Sequence, residues 1–113
     1  MYQDEEDQRD PSEIVLHAEI IKGIIESKWG MLILRELHYR NRPMRFNELL
    51  QELKPIDSRS LSLQLKNLLK WDMIEKNILS TSPPGVEYNI TEKGREFTEI
   101  FYHLAKWSYK WNL

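Results

Sequence analysis

Asp57-Ser-Arg-Ser-Leu-Ser-Leu-Gln-Leu-Lys-Asn-Leu-Leu-Lys-Trp-Asp-Met-Ile74 is the stretch whose periodicity decides the fold. Leu61, Leu65 and Leu68 recur at i, i+4 and i+7, with Leu69 beside them, which is the stripe of an amphipathic helix facing a core. Asp57 stands at the N-cap position, where its carboxylate can accept from the free N–H groups of the first turn. The opposite side presents Arg59, Leu63, Lys66, Asn67 and Lys70, flanked by Ser60 and Gln64, with Ser58 and Ser62 near the helix start. Lys and Arg bind phosphate, while Arg, Asn, Gln and Ser hydrogen-bond base edges, so this face suits the major groove of DNA. An ordinary solvated face would carry many of the same residues, and the flanking chain has to decide between them.

Upstream, Asn47 can cap a two-turn helix carrying Leu49, Leu50 and Leu53. Lys54-Pro55 ends it, because the residue before proline avoids the helical region. Ile56 then leads directly into the leucine stripe, and two short helices joined by so few residues have the layout of a helix-turn-helix. Before them, Met44-Arg45-Phe46 reads as a short extended piece at the edge of a small sheet, and Arg40-Asn-Arg-Pro43 as a break. Ser27 can cap a helix from Lys28 to about Tyr39, with Trp29, Leu32, Ile33 and Leu37 inward and Met31 and Leu34 widening the apolar arc. The first helix follows Pro11-Ser12, with Ser12 as its expected cap. It carries Ile14, Val15, Ala18, Ile21 and Ile25 in one row and Leu16, Ile20 and Ile24 in another. Residues 1–10 are acidic and aperiodic, the composition of a disordered tail, which leaves 11–113 as one domain.

Downstream, Asp72 falls where the helix should end in a left-handed residue. Ile74 to Leu79 and Val86 to Ile90 read as two strands around the turn Ser80-Thr-Ser-Pro-Pro-Gly85. Thr91 caps a last helix with Phe97, Ile100, Phe101, Leu104, Trp107 and Trp111 on a broad apolar stripe, enlarged by Tyr102 and Tyr109. The first and last helices carry more apolar surface than one core can cover, and a second copy of the chain is the simplest partner. The order of elements is that of a mainly α (α+β) winged helix-turn-helix, with a two- or three-stranded wing sheet and terminal helices left for dimerisation.

Composition limits the alternatives. The 113 residues suffice for a single core. Cysteine is absent, which removes disulfides, thiolate metal sites and thiol chemistry. His17, His38 and His103 have no metal-ligand spacing, and no nucleophile lies beside a base, so neither a metal, a cofactor nor an enzyme is expected. No apolar run approaches membrane-span length and the N-terminus is acidic, which makes a cytoplasmic protein the expectation. The net charge of −2 hides a segregation: residues 1–27 hold two basic and eight acidic side chains, and residues 28–80 hold ten basic and six acidic. Local cationic density governs binding to DNA, so an acidic total does not exclude it.

Several strings resemble one family. Lys28-Trp29 followed by Leu32-Ile33-Leu34-Arg35-Glu36-Leu37, then Arg45-Phe46-Asn47-Glu48-Leu49, Leu61-Ser62 with Leu65 and Leu68, and Pro83-Pro84 with Val86-Glu87-Tyr88 and Thr91-Glu92-Lys93-Gly94 are similar to HxlR-type transcriptional regulators, kin of the MarR-like winged helices. The resemblance spans roughly residues 11–111. It implies a homodimer on double-stranded DNA, with the helix of residues 58–70 in the major groove and the hairpin against the flanking backbone. Three positions depart from the pattern. Asp10 stands where many members carry a sensing cysteine, Asp72 replaces the usual glycine, and Gly85 replaces a basic residue at the wing tip.

The expected DNA contacts are therefore Ser58, Arg59, Ser60, Ser62, Leu63, Gln64, Lys66, Asn67 and Lys70, joined by Arg42 and Arg45 from the preceding turn. The wing would offer Ser80, Thr81, Ser82 and Gly85, which bring hydrogen bonds but no charge. The dimer interface would use Ile14, Ile21, Ile25, Phe101, Leu104, Trp107 and Trp111. Leu63 and the uncharged wing tip favour the rival reading, a winged helix used for protein–protein contact. A small-molecule effector between the first and last helices is a further option, its identity open.

Overall fold

The computed structural model describes residues 10–113, with the side chains of all of these except 14–21. The chain runs α1 (Pro11–Glu26), α2 (Lys28–Arg40), β1 (Met44–Arg45), α3 (Phe46–Glu52), α4 (Ser58–Lys70), β2 (Ile74–Leu79), β3 (Gly85–Ile90) and α5 (Glu92–Lys110). The strands form one antiparallel sheet in the order β1-β3-β2. This is the expected winged helix-turn-helix, and the sheet has three strands. Met44 pairs with Tyr88 and Arg45 with Glu87, while β2 pairs with β3 from Ile74↔Ile90 to Leu79↔Gly85.

Local chemistry moves three expected boundaries. The cap of α1 is Asp10, not Ser12. Its carboxylate accepts from Ser12 N at 2.8 Å and from Ser12 Oγ at 2.6 Å. Pro11 takes the first helical position, where a missing N–H costs nothing, and holds the residue before it extended as a cap must be. Asp10 thus belongs to the first helix rather than to the acidic tail, whose residues 1–9 lie outside the described ones. Helix α3 starts at Phe46, so Asn47 lies inside it instead of capping it. Pairing of β1 with β3 keeps Arg45 extended, and the helix begins directly after it. Strand β3 begins at Gly85, one residue before the expected Val86, because Gly85 still pairs with Leu79.

The core sits where α2 meets α4 and the sheet. Ile33, Leu34 and Leu37 of α2, Met44 of β1, Leu49 of α3 and Leu61, Leu65 and Leu68 of α4 are almost completely excluded from solvent. Helix α2 packs on α1, α4, α5 and β3, which is why its apolar arc is wide. Polar braces hold its far end. Arg40 lies between Glu52 (2.9 Å) and Glu36 (3.5 Å), tying α2 to α3. Asn41, left-handed at φ 54°, caps α2 and accepts from Arg95 of α5 at 2.6 Å.

The exit of α4 is locked just as tightly. Asp72 adopts φ 56°, as its position after the leucine stripe leads one to expect. Asp72 N donates to Leu69 O and Met73 N to Leu68 O, each at 3.0 Å, a Schellman closure. Thr91, the cap of α5, donates from its hydroxyl to Asp72 O (2.6 Å) and from its N–H to Met73 O (3.0 Å). Its hydroxyl also accepts from Gly94 N. Gly94 is a close-approach glycine, since a Cβ there would stand 2.2 Å from Met73 O and 2.8 Å from Ile90 Cγ1. Gly94→Ala is therefore expected to lower the unfolding free energy by about 1–3 kcal/mol, the cost of overpacking, as read from urea denaturation. An unchanged midpoint would mean that α5 can back away from the sheet at no cost.

Candidate nucleic-acid interface

Helix α4 begins at the cap expected for it: Asp57 accepts from Ser60 N at 2.7 Å. With Leu61, Leu65 and Leu68 turned inward, the outer side is fixed by the helical repeat. Ser58, Arg59, Ser62, Leu63, Lys66 and Lys70 are exposed, and Ser60 and Asn67 are half-buried. Leu63 is 55% exposed in the middle of this basic and polar face, an apolar group with no cover. Arg59, Lys66 and Lys70 along the face outweigh the single carboxylate of Asp57 at the helix start, so the outer surface of α4 is positive.

Two expected contacts have other partners. Gln64 Oε1 accepts from Ser27 Oγ at 2.7 Å, so that oxygen is turned toward the joint of α1 and α2 and away from the outer face. Arg42 is held in a two-toothed pair by Glu48, with a further bond to Pro43 O at 3.0 Å. That pair raises the affinity of the guanidinium for its proton and lowers that of the Glu48 carboxyl. A phosphate at Arg42 would have to compete with Glu48.

Arg45 behaves differently. It is exposed, and among the described residues it joins no ion pair. It lines a cleft of about 610 Å³ between the start of α3 and the wing tip, together with Phe46, Asn47, Thr81, Ser82 and Gly85. Thr81 Oγ1 donates to Pro83 O at 2.7 Å, bracing the tip, while Ser80 and Ser82 are exposed.

The terminal helices carry exposed apolar surface. On α5, Leu104 is 51% and Trp107 53% exposed, Ile100 and Trp111 are open as well, and Phe101 is half-buried. Ile25 on α1 is exposed, whereas the side chains of Ile14 and Ile21 lie outside the described ones. An apolar cavity of about 310 Å³ runs between these helices and α2, lined by Ile25, Met31, Leu32, Phe101 and Tyr102 with Lys28 and Arg35. Among the described residues no helix is long and apolar enough to cross a membrane.

A family model described as HxlR-like helix-turn-helix matches residues 24–113. The chain belongs to the HxlR-like helix-turn-helix family. This HxlR-like chain is 34% identical over 94 residues to an uncharacterized HTH-type transcriptional regulator, YdeP of Bacillus subtilis (strain 168), covering 83% of this chain and 72% of that protein. It matches the reduced form of the transcriptional regulator YodB from B. subtilis with 25% identity and a TM-score of 0.70, over 89% of this chain and 92% of that one. A MarR-family regulator from Enterococcus faecalis V583 shares the fold, with a TM-score of 0.81 at 22% identity over 96% and 94% of the two chains. The HxlR-like chain is a DNA-binding transcriptional regulator and not an enzyme.

Sequence reasoning missed Ser27 as a partner of α4 and Asn47 as a lining residue of the wing cleft. Nothing in the sequence joins Ser27 to Gln64, which are 37 residues apart. For the cleft one signal was available, namely the expected place of Met44-Arg45 on the edge of the hairpin sheet.

The cap of α4 titrates. Hydrogen bonds from Ser60, the backbone N–H first and then the hydroxyl, hold the Asp57 carboxyl below its ordinary value of 3.8. A depressed acid contributes stability above its unfolded value and loses it as pH falls through the folded one. The melting temperatures of wild type and Asp57→Ala should therefore differ at neutral pH and converge as pH drops below 3.8. A constant difference throughout acid titration would mean that the charge of the cap is irrelevant.

Proposed function

We propose that this regulator acts in the cytoplasm as a homodimer that reads a pseudo-palindromic operator, one α4 in the major groove of each half-site. Half-sites about 34–36 Å apart match two-fold geometry on duplex DNA. The observation that carries the reading is the two-sidedness of α4: three leucines wholly inside, and Arg59, Lys66 and Lys70 wholly outside with Ser58, Ser62 and Leu63 between them. In this reading Arg59, near the helix start, meets a base edge, because Arg bidentate to guanine is the commonest specific pair. Leu63 meets a thymine methyl, and Lys66, Asn67 and Lys70 meet backbone. The folded domain comprises residues 10–113. Pairing through α1 and α5 is supported by the open apolar side chains of Ile25, Leu104, Trp107 and Trp111, a patch of the kind that marks contact surfaces.

Arg59→Ala is expected to lose about 1–3 kcal/mol on the cognate duplex and to flatten discrimination at one base position, read by mobility shift on a library of single-base variants. Lys70→Ala should weaken all sequences alike and reduce the salt slope by about 1 per subunit. An Arg59→Ala protein with wild-type affinity and wild-type preferences would remove that side chain from the interface. Leu104→Glu with Trp107→Glu should yield monomers by sedimentation and abolish binding to the two-half-site duplex. A doubly substituted protein that still sediments as a dimer would move the interface elsewhere.

A further inference from the structure

The tip of the wing, Ser80 to Gly85, contains no charged residue. The cleft beneath it does hold a cation, and the sheet register explains why. Arg45 stands opposite Glu87, and Gly85 lies two residues along β3, on the same face of the sheet. The guanidinium crosses to that position: a Cβ on residue 85 would stand 3.0 Å from Arg45 Nη1 and 3.4 Å from Cζ. A Cβ at 85 would push the end of the Arg45 side chain back by a few tenths of an ångström, and a longer side chain would compete with it for the same space. The glycine that leaves the tip uncharged is the same residue that lets a guanidinium from another strand lie against it. The other arginines of this region, Arg40 and Arg42, are consumed by carboxylates, while Arg45 is in no ion pair among the described residues. The remaining lining of the cleft carries no charge: Asn47, Thr81 and Ser82 offer hydrogen-bonding groups, and Phe46, Pro83, Pro84 and Val86 make its apolar wall.

We propose that Arg45, lent to the wing by β1, is its phosphate-binding cation, and that the cleft between the start of α3 and the wing tip seats a phosphodiester of the DNA flanking each half-site. The proposal rests on the DNA-reading function above and adds to it a second anchor outside the recognition helix. Both ends of that anchor are on rigid elements, since Arg45 is fixed by the strand ladder on one side and by the first turn of α3 on the other. With its backbone already fixed, Arg45 has less freedom to lose on capturing a phosphate than a long cation on a free loop.

The test uses the full chain and a duplex selected from genomic DNA by the wild-type protein, with affinity measured across a salt series. Each phosphate neutralised adds about 0.9 to the slope of log affinity against log salt, so R45A should lower the slope of a dimer by about 1.8. Sequence preference should stay intact, which separates this effect from that of Arg59→Ala. The double variant R45A/G85R puts a cation on the tip itself and should regain the slope, which no repair of a purely structural defect would do. Trimming the duplex to the half-sites should give wild type the slope of R45A. An R45A slope equal to wild type, a slope that G85R fails to restore, or a trimmed duplex bound as well as the full one would each overturn the proposal and leave the recognition helix in place. A wild-type protein with no salt-dependent duplex binding would overturn both.

Discussion

Burial of Leu61, Leu65 and Leu68 against α2 is the constraint from which the rest follows. Each leucine removed from water contributes about 1.5–3 kcal/mol, so the three together fix the rotation of α4 about its own axis. A turn by one residue would bring charged or hydroxyl groups into a site made of Ile33, Leu34 and Leu37, and buried polar groups without partners are costly. The outer face of α4 is therefore decided by its inner face. The Schellman closure at Asp72 and the Thr91 bonds then fix where the hairpin leaves α4 and tie that exit to the start of α5.

The cations of the central segment divide into two groups by what surrounds them. Arg40 and Arg42 are turned to carboxylates of neighbouring elements and serve as braces, as Arg95 of α5 does on the Asn41 amide. Arg59, Lys66, Lys70 and Arg45 face solvent. Surface pairs such as these braces contribute modestly to stability, but they decide which charges remain for a partner. Counting basic residues over 28–80 thus overstates the charge on offer, because part of it is neutralised inside the domain.

Elements defined by period were legible in the sequence. The leucine stripe, the hairpin, the caps Asp57, Ser27 and Thr91 and the left-handed Asp72 all follow from local chemistry, and the structure has each of them. What the sequence does not show is where a neighbour in space outweighs a neighbour in sequence. Asn47 lost its expected capping place because pairing with β3 settled the conformation of Arg45. Gln64 sits on the polar flank of α4 by helical arithmetic, yet its oxygen is taken by Ser27 from another helix. Arg42 likewise reads as a free cation until Glu48, six residues on, is folded back beside it. Ser12 is the local exception, where the rule that proline starts a helix should have moved the cap to Asp10.

Ser27 closes α1, opens α2 and grips α4 with a single residue. It caps α1 through a bond to Ile24 O, accepts from Gly30 N and donates to Gln64. Lower on the same side, the Trp71 ring lies against Gly23 of α1, near enough that a Cβ would meet it at 3.9 Å. The arm that bears the apolar surface and the head that bears the cations are thus joined without slack. To swing one relative to the other, the chain would have to uncap a helix or give up the Ser27–Gln64 bond. Whatever sets the angle between two such arms sets the spacing of the heads, in the way a pair of callipers transmits its hinge angle to its points.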